Sequence, residues 1–288
     1  MIPAQFDYVV PTTLDEAILQ LTQHPDDAKI LAGGHSLIPA MKLRLAQPQL
    51  LIDIGRIKDL SYIREEEGQL RIGAMTTHYQ IESSDRLKEI CPLLPECAGH
   101  IGDVQVRNKG TIGGSLAHAD PSADWPAAVI ALGAKLVVAS AAGERFIKAD
   151  DFFTDLFTTA LASGEILREI RIALPATPAG HGYAKMHHPA SGFAVVGVAV
   201  SITRNSDGTC QSANIGITGV GPTAYRAIAV QDALAGSTLD ETTIAAAAAH
   251  ASDGVDVNSD LFASADYRLH LAEVYTRRAI ASAASRAK

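Results

Sequence analysis

Ala32-Gly33-Gly34-His35-Ser36 and Thr111-Ile112-Gly113-Gly114-Ser115 are the two most informative stretches of this 288-residue chain. Each of these glycine turns follows residues that favour a strand and precedes residues that favour a helix. Adjacent glycines permit a positive φ and leave the backbone N–H groups uncovered by a Cβ. Consecutive N–H groups at the start of a helix are typical of an anion site, so the pair predicts a site for a diphosphate. Either turn taken alone is equally an ordinary tight turn.

The composition is that of a globular protein that buries a core, with 47% hydrophobic residues and a formal net charge of -8. The negative charge argues against nucleic acid or an anionic membrane surface as the main partner. No stretch of about 18 apolar residues predicts a membrane span, although peripheral contact with a membrane stays open. The first residues do not resemble a Sec signal, so we expect a cytoplasmic protein.

The three cysteines, Cys91, Cys97 and Cys210, include no C-x-x-C pair. This spacing predicts neither a disulfide framework nor a zinc or iron–sulfur site within the chain. The segment from His118 to Trp125 contains several metal-ligand residue types, but their irregular spacing does not favour a metal centre. We therefore expect no metal in this chain.

The order of the elements predicts an α+β fold. The first fifty-odd residues are typical of a small α/β unit, in which Ala28–Leu31 is expected to form a short strand. Hairpin patterns follow from about residue 60, and the region from Asp85 to Cys97 is expected to be helical with proline interruptions. The proline- and glycine-rich stretch 175–180 is the clearest boundary in the sequence. Three strand-like runs and then three helices follow it, which favours an antiparallel sheet with helices packed on it.

Two charged residues are candidates for a nucleotide site. Asp124 follows the second glycine turn, where its carboxylate is placed either to accept hydrogen bonds from nucleotide hydroxyls or to cap the helix at Trp125. Lys185 falls on a strand that we expect to be half buried, where lysine is unusual. It either extends to water or places a positive charge beside an anionic group such as a reduced flavin ring.

The segments 32–39 and 110–121 resemble the two FAD motifs of the molybdenum hydroxylases, the xanthine dehydrogenase family. Within that family the chain is most similar to the FAD-binding medium subunits of the aerobic carbon monoxide dehydrogenase type. The stretch 72–77 and the late Arg277-Arg278-Ala279 fit the same subunit. The resemblance covers the whole chain, and its two motifs occur in the order found in the family.

The resemblance implies a bilobal FAD-binding domain of the PCMH or vanillyl-alcohol-oxidase-like type over residues 1–176, with lobes of about 1–56 and 57–176. It implies a carbon monoxide dehydrogenase flavoprotein C-terminal domain over residues 177–288. In the family this second domain packs a three-stranded antiparallel sheet against helices.

The resemblance also implies a set of FAD-binding residues and no catalytic residue in this chain. These residues are Ala32, Gly33, Gly34, His35, Ser36, Leu37, Thr111, Ile112, Gly113, Gly114, Ser115, Asp124, Leu161, Leu167, Lys185 and Phe193. By resemblance the two turns hold the diphosphate and Asp124 binds a sugar hydroxyl. Leu161 and Leu167 line a ring pocket, and Lys185 lies near the pyrimidine side of the isoalloxazine. Some relatives carry tyrosine at the position of Phe193, which adds a hydroxyl near the flavin.

The implied function is that of an electron-transfer subunit. In the family, a small subunit carries two [2Fe–2S] clusters and a large subunit carries the molybdopterin cofactor, in a dimer of heterotrimers. The FAD in this chain collects electrons from the clusters and delivers them to an external acceptor. Two alternatives remain: a stand-alone flavin oxidase, and a non-catalytic module that binds another phosphate ligand.

Overall fold

Four β-sheets with helices packed against them make up residues 1–175, 177 and 179–287, which the computed structural model describes. The strands are β1 (Asp7–Val9), β2 (Ala28–Leu31), β3 (Leu50–Asp53), β4 (Ile63–Glu66), β5 (Gln69–Gly73), β6 (Lys135–Ser140), β7 (Gly143–Lys148), β8 (Phe153–Asp155), β9 (Thr158–Thr159), β10 (Ile166–Ala173), β11 (Gly180–His187), β12 (Ala194–Arg204), β13 (Cys210–Thr218) and β14 (Tyr225–Arg226). The helices are α1 (Leu14–Gln23), α2 (Leu37–Lys42), α3 (His78–Glu82), α4 (Asp85–Ile90), α5 (Leu93–Gly99), α6 (Val104–Lys109), α7 (Ile112–His118), α8 (Asp124–Ala131), α9 (Ile228–Leu234), α10 (Glu241–Ala248) and α11 (Ala265–Arg286).

The first sheet is parallel, in the order β1-β3-β2. Its central strand β3 is almost wholly apolar, as expected for a strand with neighbours on both sides. The side chain of Thr13 caps α1 by accepting from the N–H of Glu16. Strand β2 leads directly into the first glycine turn, which places that turn at the carboxyl edge of the sheet.

The second sheet is antiparallel, in the order β4-β5-β10-β6-β7. Leu70 and Ile72 of β5 alternate with more exposed residues and pack into the same core as Ile170 of β10. Helix α8 is buried along its whole length against this core, which fits its nearly continuous apolar sequence. The second glycine turn opens α7 and lies beside the end of β5.

The third sheet is antiparallel, in the order β11-β12-β13-β14. Glycines let helices lie directly on both of its faces. A Cβ built on Gly182 would lie 2.5 Å from the carbonyl oxygen of Ala279 in α11, and one on Gly216 would lie 2.1 Å from that of Ala127 in α8. The register places Gly182 and Gly216 on opposite faces, so the sheet is held between α11 and α8.

The predicted α+β architecture is confirmed, with two differences in detail. Three long antiparallel strands form the C-terminal sheet, and the two-residue strand β14 adds a fourth. Arg226 stabilises this edge of the third sheet, because its guanidinium forms an ion pair with Asp150 and donates a hydrogen bond to the carbonyl of Ile130. Helix α3 was not predicted from sequence, and neither was α6; both have fewer than seven residues.

The domain boundary predicted between residues 176 and 177 cannot be compared residue by residue, because Ala176 lies outside the described residues. Lys288 at the end of the chain also lies outside them. On either side of that boundary, β10 belongs to the second sheet and β11 to the third. Within residues 1–175, 177 and 179–287, no helix has the length and apolar character that crossing a bilayer requires.

Candidate cofactor site

The two glycine turns lie against each other, although 77 residues separate Gly34 from Thr111 and the turns belong to different sheets and helices. A Cβ built on Gly33 would lie 2.1 Å from the carbonyl oxygen of Lys109 and 2.8 Å from the Cα of Gly110. A Cβ on Gly114 would lie 3.4 Å from that of Ala32. The glycines therefore allow a backbone approach that larger residues would prevent.

The first glycine turn presents a run of free backbone donors. Gly34 has a φ of 73°, which reverses the chain between β2 and α2. Within the described residues, no acceptor takes a hydrogen bond from the N–H groups of residues 33–37, and the first such bond of α2 runs from Ile38 to the carbonyl of Gly34. Five consecutive unpaired N–H groups at the start of a helix form a concave site for an anion.

The second glycine turn differs, because the fold itself uses its N–H groups. Ile112 donates to the carbonyl of Thr76 and Gly113 to that of Ala74, while Gly114 donates to the capping hydroxyl of Thr111. The expectation of consecutive free amides is therefore wrong for this turn. Its remaining donors toward a ligand are the N–H of Thr111, for which the described residues provide no acceptor, and the hydroxyls of Thr111 and Ser115.

Both turns line one cavity of about 650 Å³. Fourteen of the sixteen residues predicted to bind FAD line it: Ala32, Gly33, Gly34, His35, Ser36, Leu37, Thr111, Gly113, Gly114, Ser115, Asp124, Leu161, Leu167 and Phe193. Ile112 does not, because its side chain is buried in the core. Lys185 does not, because it is held behind Asp124.

Asp124, Tyr183 and Lys185 form a buried polar cluster behind the cavity wall. The Lys185 ammonium lies 2.8 Å from one carboxylate oxygen of Asp124, and the Tyr183 hydroxyl donates to that oxygen at 2.5 Å. Tyr183 and Lys185 are two residues apart on β11, so both side chains face α8. Lys185 also donates to the carbonyl of His100 at 2.9 Å, so it does not extend to water.

The environment of Asp124 excludes one of the two roles considered for it. Ala123 is the N-cap of α8 and makes no side-chain capping bond, so the capping alternative is wrong. Burial raises the pKa of the Asp124 carboxyl, and the adjacent ammonium of Lys185 opposes that rise. The carboxylate is thereby held in one orientation at the cavity wall, where a ligand hydroxyl is a suitable partner.

Apolar residues from distant segments complete the cavity. Leu167 is 5% exposed and Leu161 is half buried, and both belong to the segment around the start of β10. Phe193 immediately precedes β12 and is 41% exposed. These side chains provide flat or aliphatic surface of the kind that planar rings contact in binding sites.

Sequence patterns missed two residues that matter at this site. Tyr183 orients Asp124, and His78 lines the cavity. No local signal marks them, because each contact joins residues far apart in the chain, such as Tyr183 and Asp124, which are separated by 59 positions.

The residues present fit a dinucleotide such as FAD. The free N–H groups of residues 33–37 suit the negative charge of a diphosphate, and the hydroxyls of the second turn add further donors. The apolar walls suit rings, and the volume lies within the range of sites that enclose a small ligand or cofactor. Each requirement is met by residues of the described chain itself.

Comparison with protein families gives two matches that together cover most of the chain. Residues 4–175 match the FAD binding domain in molybdopterin dehydrogenase. Residues 181–283 match the carbon monoxide dehydrogenase flavoprotein C-terminal domain.

Individual relatives are similar along the whole chain. The carbon monoxide dehydrogenase medium chain of Hydrogenophaga pseudoflava is 41% identical over 99% of both chains. The 6-hydroxypseudooxynicotine dehydrogenase complex subunit alpha of Paenarthrobacter nicotinovorans is 37% identical over 100% of this chain and 97% of that one. A solved carbon monoxide dehydrogenase from Hydrogenophaga pseudoflava, which lacks the Mo-pyranopterin moiety, superimposes with a TM-score of 0.96 at 43% identity over 100% of both chains. The chain therefore belongs to the family of FAD-binding medium subunits of the molybdenum hydroxylases, of the carbon monoxide dehydrogenase type.

Proposed function

We propose that this chain holds one FAD in the cavity between its glycine turns, as the electron-transfer subunit of a molybdenum hydroxylase complex. The observation that carries the proposal is the convergence of both turns on one cavity, with five free N–H groups on the first turn. Bound FAD takes up two electrons and releases them to an external acceptor. The sixteen predicted residues remain the proposed binding set, with Ile112 and Lys185 acting from behind the wall.

The chain's own residues bind and orient the cofactor. The N–H groups of residues 33–37 offset the diphosphate charge, and Thr111 and Ser115 offer hydroxyls from the opposite side. Asp124 accepts from a sugar hydroxyl, and the ammonium of Lys185 opposes the rise in the Asp124 pKa that burial causes. Leu161 and Leu167 exclude water from a ring.

Partner subunits supply what this chain lacks. Its three cysteines are buried, Cys91 and Cys97 in one hydrophobic cluster and Cys210 in another, so the described residues do not bring the three thiols together as ligands of an iron–sulfur cluster. We therefore place two [2Fe–2S] clusters on a small partner subunit and the molybdopterin cofactor on a large one, in a dimer of heterotrimers. Support comes from relatives named as a medium chain and as a subunit of a dehydrogenase complex.

Exposed apolar side chains support a partner surface beside the cavity. Phe193 is 41% exposed at the cavity wall, and Phe262 is 40% exposed. His188 links the two segments, since its N–H donates to the carbonyl of Phe193 and its ring centroid lies 4.4 Å from that of Phe262. Neighbouring exposed aromatic groups are typical of surfaces that another protein covers.

The proposal includes the domain division and the location. Residues 1–176 form the FAD-binding domain, with lobes of about 1–56 and 57–176, and residues 177–288 form the C-terminal domain. The hydrophobic cluster on the third sheet takes all its members from residues 184–287, which supports this division. We place the complex in the cytoplasm and propose that its substrate is determined by the large subunit rather than by this chain.

An absorbance experiment tests the function. Purified chain freed of flavin and mixed with FAD is expected to bind one FAD, with visible flavin bands that carbon monoxide, N-heterocycles and aldehydes do not bleach. Assembly with both partner subunits is expected to make one of these substrates bleach the bands. Bleaching of the isolated chain by a substrate would support a stand-alone oxidase, and no binding of FAD would support a module for another phosphate ligand.

A further inference from the structure

His78 is a buried histidine at the cavity wall that none of the assignments above uses. It is the first residue of α3 and is 4% exposed. Its backbone N–H donates to the carbonyl of Gly110 at 3.0 Å. This bond joins α3 to the segment that leads into the second glycine turn, so the backbone of His78 is held in place.

Trp125 determines which ring nitrogen of His78 carries the proton. The indole N–H of Trp125 donates to Nδ1 of His78 at 3.0 Å, and Trp125 itself is 0% exposed. Burial lowers the pKa of His78 to about 4, so the ring is neutral at neutral pH. A neutral imidazole whose Nδ1 accepts a hydrogen bond carries its proton on Nε2.

The Nε2–H group of His78 has no acceptor within the described residues. Its nearest surroundings include Gly110, where an added Cβ would lie 2.6 Å from Nε2. Glycine at 110 therefore gives the imidazole room beside the backbone. That same backbone is the one that Gly33 contacts, because a Cβ on Gly33 would lie 2.8 Å from the Cα of Gly110. His78 thus presents a donor close to the place where the two turns meet.

We infer that His78 is a cofactor-binding residue whose Nε2–H donates a hydrogen bond to a diphosphate oxygen of FAD, and that Trp125 is the positioning residue that fixes this donor. The inference rests on the proposed function, because it assumes that a dinucleotide occupies the cavity. A donor with no protein acceptor, next to five free N–H groups and lining the same cavity, lacks only an anionic acceptor. A diphosphate supplies such an acceptor.

A matched pair of variants tests the inference. In His78→Asn the amide takes the place of Nδ1, so Trp125 keeps an acceptor but the donor toward the cavity is lost. In His78→Gln the amide takes the place of Nε2, so that donor is kept. Apoprotein titrated with FAD is expected to bind at least about 10-fold more weakly in H78N, and within about threefold of wild type in H78Q. Equal affinities of H78N and wild type would overturn the inference.

Two simpler ligands identify the group that His78 contacts. ADP carries the diphosphate without the flavin, and riboflavin carries the flavin without phosphate. The affinity of H78N for ADP is expected to fall by the same factor as its affinity for FAD, while its affinity for riboflavin stays at the wild-type value. A loss confined to riboflavin would overturn the assignment to the diphosphate. A wild-type chain that binds no FAD at all would instead contradict the proposed function.

A measurement on the wild type avoids any dependence on how the variants fold. Nitrogen-15 NMR of histidine-labelled apoprotein is expected to show the tautomer of His78 protonated at Nε2. Adding FAD is expected to move the Hε2 signal downfield, because the proton enters a hydrogen bond to an anion. The tautomer protonated at Nδ1, or an Hε2 signal that FAD leaves unchanged, would overturn the inference.

Discussion

The carbonyl oxygen of Lys109 lies 2.1 Å from the position that a Cβ on Gly33 would occupy. Both groups at this contact belong to the main chain, so neither can move aside as a flexible side chain would. The contact joins a turn at the edge of the parallel sheet to the end of α6, just before the second glycine turn. Gly33 therefore has two roles at the cavity. It lets two main-chain segments approach each other closely, and it provides a free N–H.

Gly33→Ala is expected to weaken FAD binding by more than 10-fold and to lower the free energy of unfolding of the apoprotein by about 1–3 kcal/mol, because the added methyl separates the two turns. Fluorescence titration and urea unfolding measure the two effects. Gly99→Ala is the control, since its methyl would approach nothing closer than 3.7 Å and lies at the end of helix α5. Wild-type FAD affinity in G33A would contradict the role assigned to this contact.

The buried pair of Asp124 and Lys185 is expected to behave as one unit. Asp124→Asn leaves the ammonium of Lys185, whose side chain is 0% exposed, without its counter-charge, and is expected to destabilise the apoprotein by about 3–5 kcal/mol. Lys185→Met is expected to cost a similar amount for the corresponding reason. The double variant is expected to cost about 2 kcal/mol less than the sum of the two single variants.

Urea unfolding of the four apoproteins provides the thermodynamic cycle for this pair. Additive losses would show that the two charges do not stabilise each other. Tyr183→Phe is a useful fifth variant, because it removes one hydrogen bond to Asp124 and leaves both charges in place. Its expected cost is smaller, about 1–3 kcal/mol.

His181 is expected to make stability depend on pH. Burial lowers its pKa to about 4, whereas the unfolded imidazole titrates near 6.5. Below pH 6.5 the unfolded state binds a proton that the folded state does not, so stability is lost as the pH falls from 6.5 towards 4. Between pH 7.5 and 5.0 this residue is expected to cost the wild type about 2 kcal/mol.

His181→Gln removes this titration and lies outside the cavity lining, which makes it a clean comparison. Urea unfolding at pH 7.5, 6.0 and 5.0 is expected to show a shallower decline in H181Q than in the wild type. Parallel declines in the two proteins would mean that His181 gains its proton at the same pH in both states.

Phe193→Tyr tests the position at which the resemblance to the family implies a tyrosine in some members. Phe193 is 41% exposed at the cavity wall, so a hydroxyl is accommodated with a stability change within about 0.5 kcal/mol. We expect unchanged FAD occupancy and a shift of the visible flavin bands, because the hydroxyl adds a donor beside the ring. Phe262→Tyr, which is equally exposed and does not line the cavity, is expected to shift nothing.

The sequence was sufficient to predict those helices and strands that are determined by local residue patterns. Strand β2 was predicted with its observed bounds, Ala28–Leu31, directly before the first glycine turn. The long helix α11 is the last of the three helices predicted after the boundary stretch, and it lacks internal glycine or proline. The region from Asp85 to Cys97 was predicted to be helical with proline interruptions, and it forms two helices that meet at Cys91 and Pro92.

Contacts between residues that lie far apart in the chain could not be predicted from the sequence. The glycine pattern of the second turn is the same as that of the first. In the second turn, however, the carbonyls of Ala74 and Thr76 accept hydrogen bonds from the N–H groups. Those acceptors belong to the end of β5 and the loop before α3, and no local rule places them there. The bond between Trp125 and His78 likewise spans 47 positions.

A crystal structure of the FAD-loaded chain is the most direct test of the central claim, that one diphosphate occupies the space between the two turns. The account predicts diphosphate oxygens within 3.2 Å of N–H groups of residues 33–37, with at least one further hydrogen bond from Thr111 or Ser115. A diphosphate bound elsewhere in the cavity, with the N–H groups of residues 33–37 facing only water, would contradict it.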